Sequence, residues 1–135
     1  MDAAQALTDL TEISSQIEAA VVLDPNGVAI ASTLPEPRST DLARTAKELL
    51  AAVGTVAGGE GREPAQIEVA TREGSVFLVR DDERVVAATT GPEPTVGLVF
   101  YDLKSCLRSI AAGEKPKPRR TPRKSGDREQ SDAAA

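Results

Sequence analysis

The chain has 135 residues, 40% of them hydrophobic but only 2% aromatic, and a formal net charge of −5. That length suits one packed core, which Ala, Val, Leu and Ile must fill. There is no histidine and a single cysteine, Cys106, so the commonest general base and metal ligand are missing, and an internal disulfide or a cysteine zinc cluster is excluded.

The acidic opening MDAAQALTDL carries no basic region followed by an apolar run, and no apolar span reaches about 20 residues, so a cytoplasmic location is expected. Leu7, Leu10, Ile13 and Ile17 recur at spacings of three and four and predict a helix from about Ala3 to Ser15. VVLDPNGVAIAST then sets four turn-forming residues between two apolar runs. Asp24 can accept hydrogen bonds from the turn backbone, Pro25 fixes φ, Asn26 tolerates the next position, and Gly27 suits φ > 0 in a type I turn followed by a bulge. The stretch reads as a hairpin. It lacks the alternating oxygen ligands of a calcium loop. Its strands, AAVVL and VAIAS, are continuously apolar, as expected of a sheet covered on both faces.

LPEPRST breaks the chain, with Ser39 or Thr40 expected as a helix cap and Asp41 placed against the positive helix end. Leu42, Ala46, Leu49, Leu50, Val53 and Val56 mark a second helix, running to about Ala57 and stopping at GGEG. GGEGRE has no Lys-Ser/Thr ending and follows a helix, so it reads as a linker rather than a phosphate loop. AQIEVAT alternates, with Ile67 and Val69 on one face and Gln66, Glu68 and Ala70 on the other. The turns REGS and DDER separate it from VFLVR and VVAATT, giving a three-stranded meander. Val96, Val99, Phe100, Leu103, Leu107 and Ile110 form a third helical stripe that ends near Gly113. Cys106 sits within that segment and reads as a small core residue.

The order is helix-strand-strand-helix-strand-strand-strand-helix. It predicts an α/β sandwich of the α+β class: a five-stranded antiparallel sheet with the middle helix on one face and the terminal helices on the other. Residues 1–113 hold nine Lys/Arg against 17 Asp/Glu, a net −8, whereas residues 114–135 hold seven against four, a net +3. The domain is therefore expected to span 1–113. Residues 114–135, with prolines 116, 118 and 122 and almost no apolar side chains, are expected to form a disordered basic tail. Lys115, Lys117, Arg119, Arg120, Arg123 and Lys124 offer charge for an acidic partner, a membrane surface or nucleic acid, or for the acidic domain itself. The alternative is a solvated segment that keeps the protein in solution.

AAVVLDPNGVAIAS, through Val21, Val22, Asp24, Gly27, Val28 and Ile30, resembles the apolar strand, Asp-x-x-Gly turn and second apolar strand of the Roadblock family (dynein light-chain Roadblock type). The element order extends the resemblance over about residues 3–112. It implies a non-enzymatic homodimer, or a pairing with a second Roadblock-type subunit, that serves as a platform for a small Ras-like GTPase. Some members of that family accelerate GTP hydrolysis by arranging the GTPase's own residues, so the resemblance implies either an activator or a scaffold. No cofactor, metal or catalytic residue is implied. Arg38, Arg44, Arg62, Arg80 and Arg84 are available by sequence as a finger arginine, but each is more cheaply explained as a solubilising surface charge. A structural adaptor and a small sensory ligand-binding domain remain open, although few convergent polar groups are present to orient a ligand.

Two surfaces are expected. Gln66, Ile67, Glu68 and Val69 would end the sheet and pair with the same strand of a second copy, centred near Ile67 so that Glu68 faces Gln66 rather than itself. Arg44, Lys47 and Glu48, off the apolar stripe of the middle helix, would contact the partner GTPase.

Overall fold

A computed structural model describes residues 1–57 and 65–114. The glycine-rich linker, Arg62 and the basic tail lie outside the described residues. The elements are α1 (Ala3–Ile13), β1 (Ile17–Leu23), β2 (Ala29–Ser32), α2 (Arg38–Ala57), β3 (Gln66–Ala70), β4 (Ser75–Arg80), β5 (Val85–Thr90) and α3 (Val96–Glu114). They follow the order read from the sequence. The strands form one antiparallel sheet ordered β2-β1-β5-β4-β3. The closing strand of the meander thus pairs with the first strand of the hairpin, and β2 and β3 are left as the two edges.

Alternation along the strands divides the core into two. Val21 and Leu23 of β1, Leu78 of β4 and Val85 and Ala87 of β5 pack with Leu42, Ala43 and Ala46 of α2. On the opposite face, Ile17, Ala20, Val22, Phe77, Val79, Val86 and Ala88 meet α1 and α3. Phe77 and Phe100 stack edge to face there, with centroids 5.0 Å apart, a favoured aromatic geometry. α2 lies over β2, β1 and β5, α1 over β1 and β2, and α3 over β4 and β5. Met1 donates its ammonium to the Ser109 carbonyl at 3.4 Å, so the start of α1 adjoins the end of α3 and the two helices run antiparallel.

Several local expectations change. α1 stops at Ile13, and Ser14 caps it by donating its N–H to the Leu10 carbonyl. Ile13 is 74% exposed, and Ile17 belongs to β1, because the period changes from helical to extended between them. Neither Ser39 nor Thr40 caps α2. The Glu36 carboxylate accepts from the Thr40 N–H at 3.1 Å and from its hydroxyl at 2.6 Å, while Ser39 is buried. β1 is covered on both faces except at Glu18, as its apolar run implies. β2 is not: it is an edge, and Val28 and Ile30 are 58% and 45% exposed.

Candidate functional site

The DPNG turn has the expected geometry. The Asp24 carboxylate accepts from the N–H groups of Asn26 at 2.8 Å and Val28 at 3.0 Å, the Gly27 N–H donates to the Asp24 carbonyl at 2.9 Å, and Gly27 has φ +83°. Pairing shifts by one residue between Val22 and Leu23. The turn also supports a side chain of α2. A Cβ on Gly27 would meet the Cγ, Cδ and Cε atoms of Lys47 at 2.5–2.9 Å, so the Lys47 stem lies across the glycine and carries its ammonium outward.

Gly27, Val28 and Ala29 line one groove with Thr40, Ala43, Arg44, Lys47 and Glu48. The three partner-binding candidates therefore stand together on the β2 side of α2, all exposed. Arg44 pairs with Asp41 at 3.2 Å in an exposed contact of little energetic weight. Beyond Lys47 the surface continues into a cleft of about 360 Å³ between two turns at the same end of the sheet. The second, DDER, repeats the first: Asp81 accepts from the N–H groups of Glu83 at 2.8 Å and Arg84 at 2.7 Å. In the sequence alone DDER shows only a turn. The shared residue type was visible, but its placement beside Asp24 depends on β5 pairing with β1, a contact between distant parts of the chain.

The other flank of α2 is apolar. Thr45, Leu49, Ala52 and Val56 follow one helical row; Leu49 is half-buried, and Val56 is 88% exposed. On the same face of the sheet, Ile67, Val69 and Val76 are only half-buried. Gln66, Glu68 and Ala70 are exposed on the opposite face, matching the alternation in the sequence. The phase of the ladder fixes which backbone groups meet the edge. Arg80 donates to Ala65 at 2.9 Å and Thr71 to Gly74 at 2.8 Å, so hydrogen-bonded pairs fall at odd positions of β3. The N–H and C=O groups of Gln66, Glu68 and Ala70 then point away from β4.

Among the described residues no cluster suited to a metal ion occurs. Burial, then the negative charge of Asp9, pushes the Cys106 thiol up to about 11; it is a buried thiol rather than a nucleophile. Of the described finger candidates, Arg44 pairs with Asp41, Arg84 is a largely buried side chain 3.9 Å from Glu83, Arg80 is half-buried, and Arg38 is exposed at the start of α2. Arg80 and Arg84 both line the cleft between the two turns and Arg44 lines the adjoining groove; none is assigned a catalytic role.

The fold resembles the Roadblock/LC7 domain from Streptomyces avermitilis, with TM-score 0.72 and 17% identity over 84% of this chain and 98% of that one. It also resembles the gliding protein MglB from Thermus thermophilus, with TM-score 0.67 and 16% identity over 82% and 86% of the two chains. For MglB from Myxococcus xanthus the values are 0.61, 17%, 83% and 91%. The sequence matches no curated protein closely enough to count as a relative. The Roadblock/LC7 domain family matches residues 3–90, from the first residue of α1 to the last of β5. With the two-layer core and hairpin geometry in place, that match settles the kinship: the chain belongs to the Roadblock/LC7 domain family.

Proposed function

We propose that this protein is a non-enzymatic, dimeric regulator or adaptor of a small Ras-like GTPase. Membership of the Roadblock/LC7 family carries the reading, and the two unlike flanks of α2 supply its physical basis. The apolar flank, with Val56, Ile67 and Val69, continues onto the open β3 edge. The polar flank presents Arg44, Lys47 and Glu48 beside the DPNG turn.

In the dimer, β3 pairs with β3 of a second copy about a two-fold axis through Ile67. Gln66 and Glu68, whose backbone groups face outward, then form the hydrogen-bonded pairs. Ile67 meets Ile67 in the closer, non-hydrogen-bonded position. Both α2 helices fall on one face of the joined sheet, and the like-charge pairing of Glu68 with Glu68 is avoided. Arg44, Lys47 and Glu48 of each copy supply the contacts to the GTPase.

The test is recovery of a nucleotide-binding partner from native extract by the full chain, followed by GTP turnover of that partner with and without the protein. A partner whose turnover rises identifies an activator. Binding without a change in turnover identifies an adaptor. Failure to recover any GTP-binding protein under either nucleotide would refute the reading.

A further inference from the structure

The outer face of α3 changes character along its length. Leu98, Tyr101, Ser105 and Arg108 follow one helical row, and Lys104 stands beside it, three residues from Tyr101 and four from Arg108. Leu98 and Tyr101 are 49% and 62% exposed, and Lys104 and Arg108 are exposed as well. Core packing does not account for the two apolar side chains, because Val99, Leu103, Leu107 and Ile110 form the buried stripe on the other side of the helix. Ile13, 74% exposed at the end of α1, lines the adjoining groove with Asp102 and Ser105, which widens the apolar end of the ridge. The basic end is not neutralised. Arg108 donates to the uncharged Ser105 hydroxyl at 3.1 Å, and among the described residues neither Arg108 nor Lys104 forms an ion pair. Two cations one helical turn apart repel slightly, here within a domain that carries −8 over residues 1–113.

We propose that this ridge docks an acidic amphipathic helix of a second partner protein, with its apolar side chains on Leu98 and Tyr101 and its carboxylates on Lys104 and Arg108. Charge decides both the chemistry of the occupant and its position. Asp9 and Asp102 line the groove on the α1 side, so a negatively charged helix is repelled from the groove and held on the outer ridge of α3. From Leu98 to Arg108 is about 15 Å at roughly 1.5 Å per residue, a length that one helix of about ten residues covers. α3 packs on the opposite face of the sheet from α2. The ridge is therefore filled independently of Arg44, Lys47 and Glu48, and one chain holds two proteins at once. This second docking face goes beyond the GTPase reading and does not depend on it.

Tyr101 is the one tyrosine of the chain, which has no tryptophan, so tyrosine emission of the full-length protein reports on the ridge. The probes are two synthetic helical peptides of about 14 residues without tyrosine or tryptophan. They share leucines three and four residues apart and carry either glutamate or lysine at the other positions. The glutamate peptide should bind about ten-fold or more tightly than the lysine peptide and move the amide resonances of Leu98, Tyr101, Lys104 and Arg108. That preference should vanish in Lys104→Glu with Arg108→Glu and in about 0.5 M salt, which screens the attraction, whereas Arg44→Glu on α2 should leave it unchanged. All these positions are exposed, so the variants should stay folded by circular dichroism. Equal binding of the two peptides, no binding of the glutamate peptide up to millimolar concentration, or a preference that survives the double reversal would overturn the proposal. An oligothymidylate of the same charge that moves these resonances as strongly would assign the ridge to phosphate and overturn the helix. Self-association abolished by the double reversal would assign it to a second copy, with the same consequence.

Discussion

Asp24 and Gly27 carry the hairpin in different ways, and substitution should separate them. Asp24→Ala removes the acceptor of two turn N–H bonds and should lower unfolding free energy by about 1–2 kcal/mol. Gly27→Ala combines a left-handed backbone cost of about 1–2 kcal/mol with a clash against the Lys47 stem. Lys47→Ala should relieve the clash but not the backbone cost, so a double-mutant cycle by urea denaturation should give partial rescue; strict additivity would show that the stem does not rest on the turn. Cys106 makes a prediction about pH. Its thiol rises from an ordinary 9.0 to about 11 on folding, so between those values the folded state holds the proton more often than the unfolded one. Its contribution is complete below about pH 9 and is lost as pH rises toward about 11. Cys106→Ala should therefore flatten the alkaline fall in stability relative to wild type. Alkylation of the wild-type thiol at neutral pH should proceed only as fast as the domain opens.

At the scale of elements, the sequence was most legible where one period governed a segment. The alternation of β3, the stripe of α3 and the Asp-Pro-Asn-Gly turn all stand in the structure as read. Misreadings fell where neighbours in space decide. Ile13 continues a helical spacing yet faces solvent, because the chain turns into β1 just after it. Val28 and Ile30 look like core but lie on an edge, since β1 finds its second partner in the distant β5. The cap of α2 came from Glu36, a residue with too many alternative roles to be singled out by type. The ladder phase of β3 was invisible in the sequence, and it governs how the proposed dimer should be tested. Proline at Ile67 would remove a donor to β4 and damage the sheet itself. Glu68→Pro instead removes a donor that points outward, a position that an edge strand tolerates. It should yield a folded monomer by light scattering with circular dichroism close to wild type, whereas Ile67→Val should remain dimeric. A monomeric wild type at high micromolar concentration, or a dimeric Glu68→Pro, would refute β3 pairing.

For the whole molecule, the arrangement of charge links dimerisation to partner binding. Residues 1–113 carry −8 overall, so long-range attraction does not favour a similarly acidic partner, and the contact must rest on local features. Arg44 and Lys47 are such a feature: two cations beside Glu48 on one exposed flank, with Lys47 held in place by the turn beneath it. Charge reversal at each of the three positions changes only exposed heads, apart from the Lys47 stem, and should leave the melting temperature of Arg44→Glu and Glu48→Lys within a few degrees of wild type. Partner affinity in the combined variant should fall about ten-fold or more, given roughly 1.4 kcal/mol per decade and several altered charges. In the proposed dimer both α2 helices share one face, so a GTPase spanning them would meet two copies of this flank. Glu68→Pro leaves Arg44, Lys47 and Glu48 intact but separates the copies. If the partner spans the pair, titration calorimetry should show the monomeric variant binding more weakly, with one partner per two chains in the wild type. Unchanged affinity at one partner per chain would show that each protomer binds alone, and would confine β3 pairing to assembly rather than recognition.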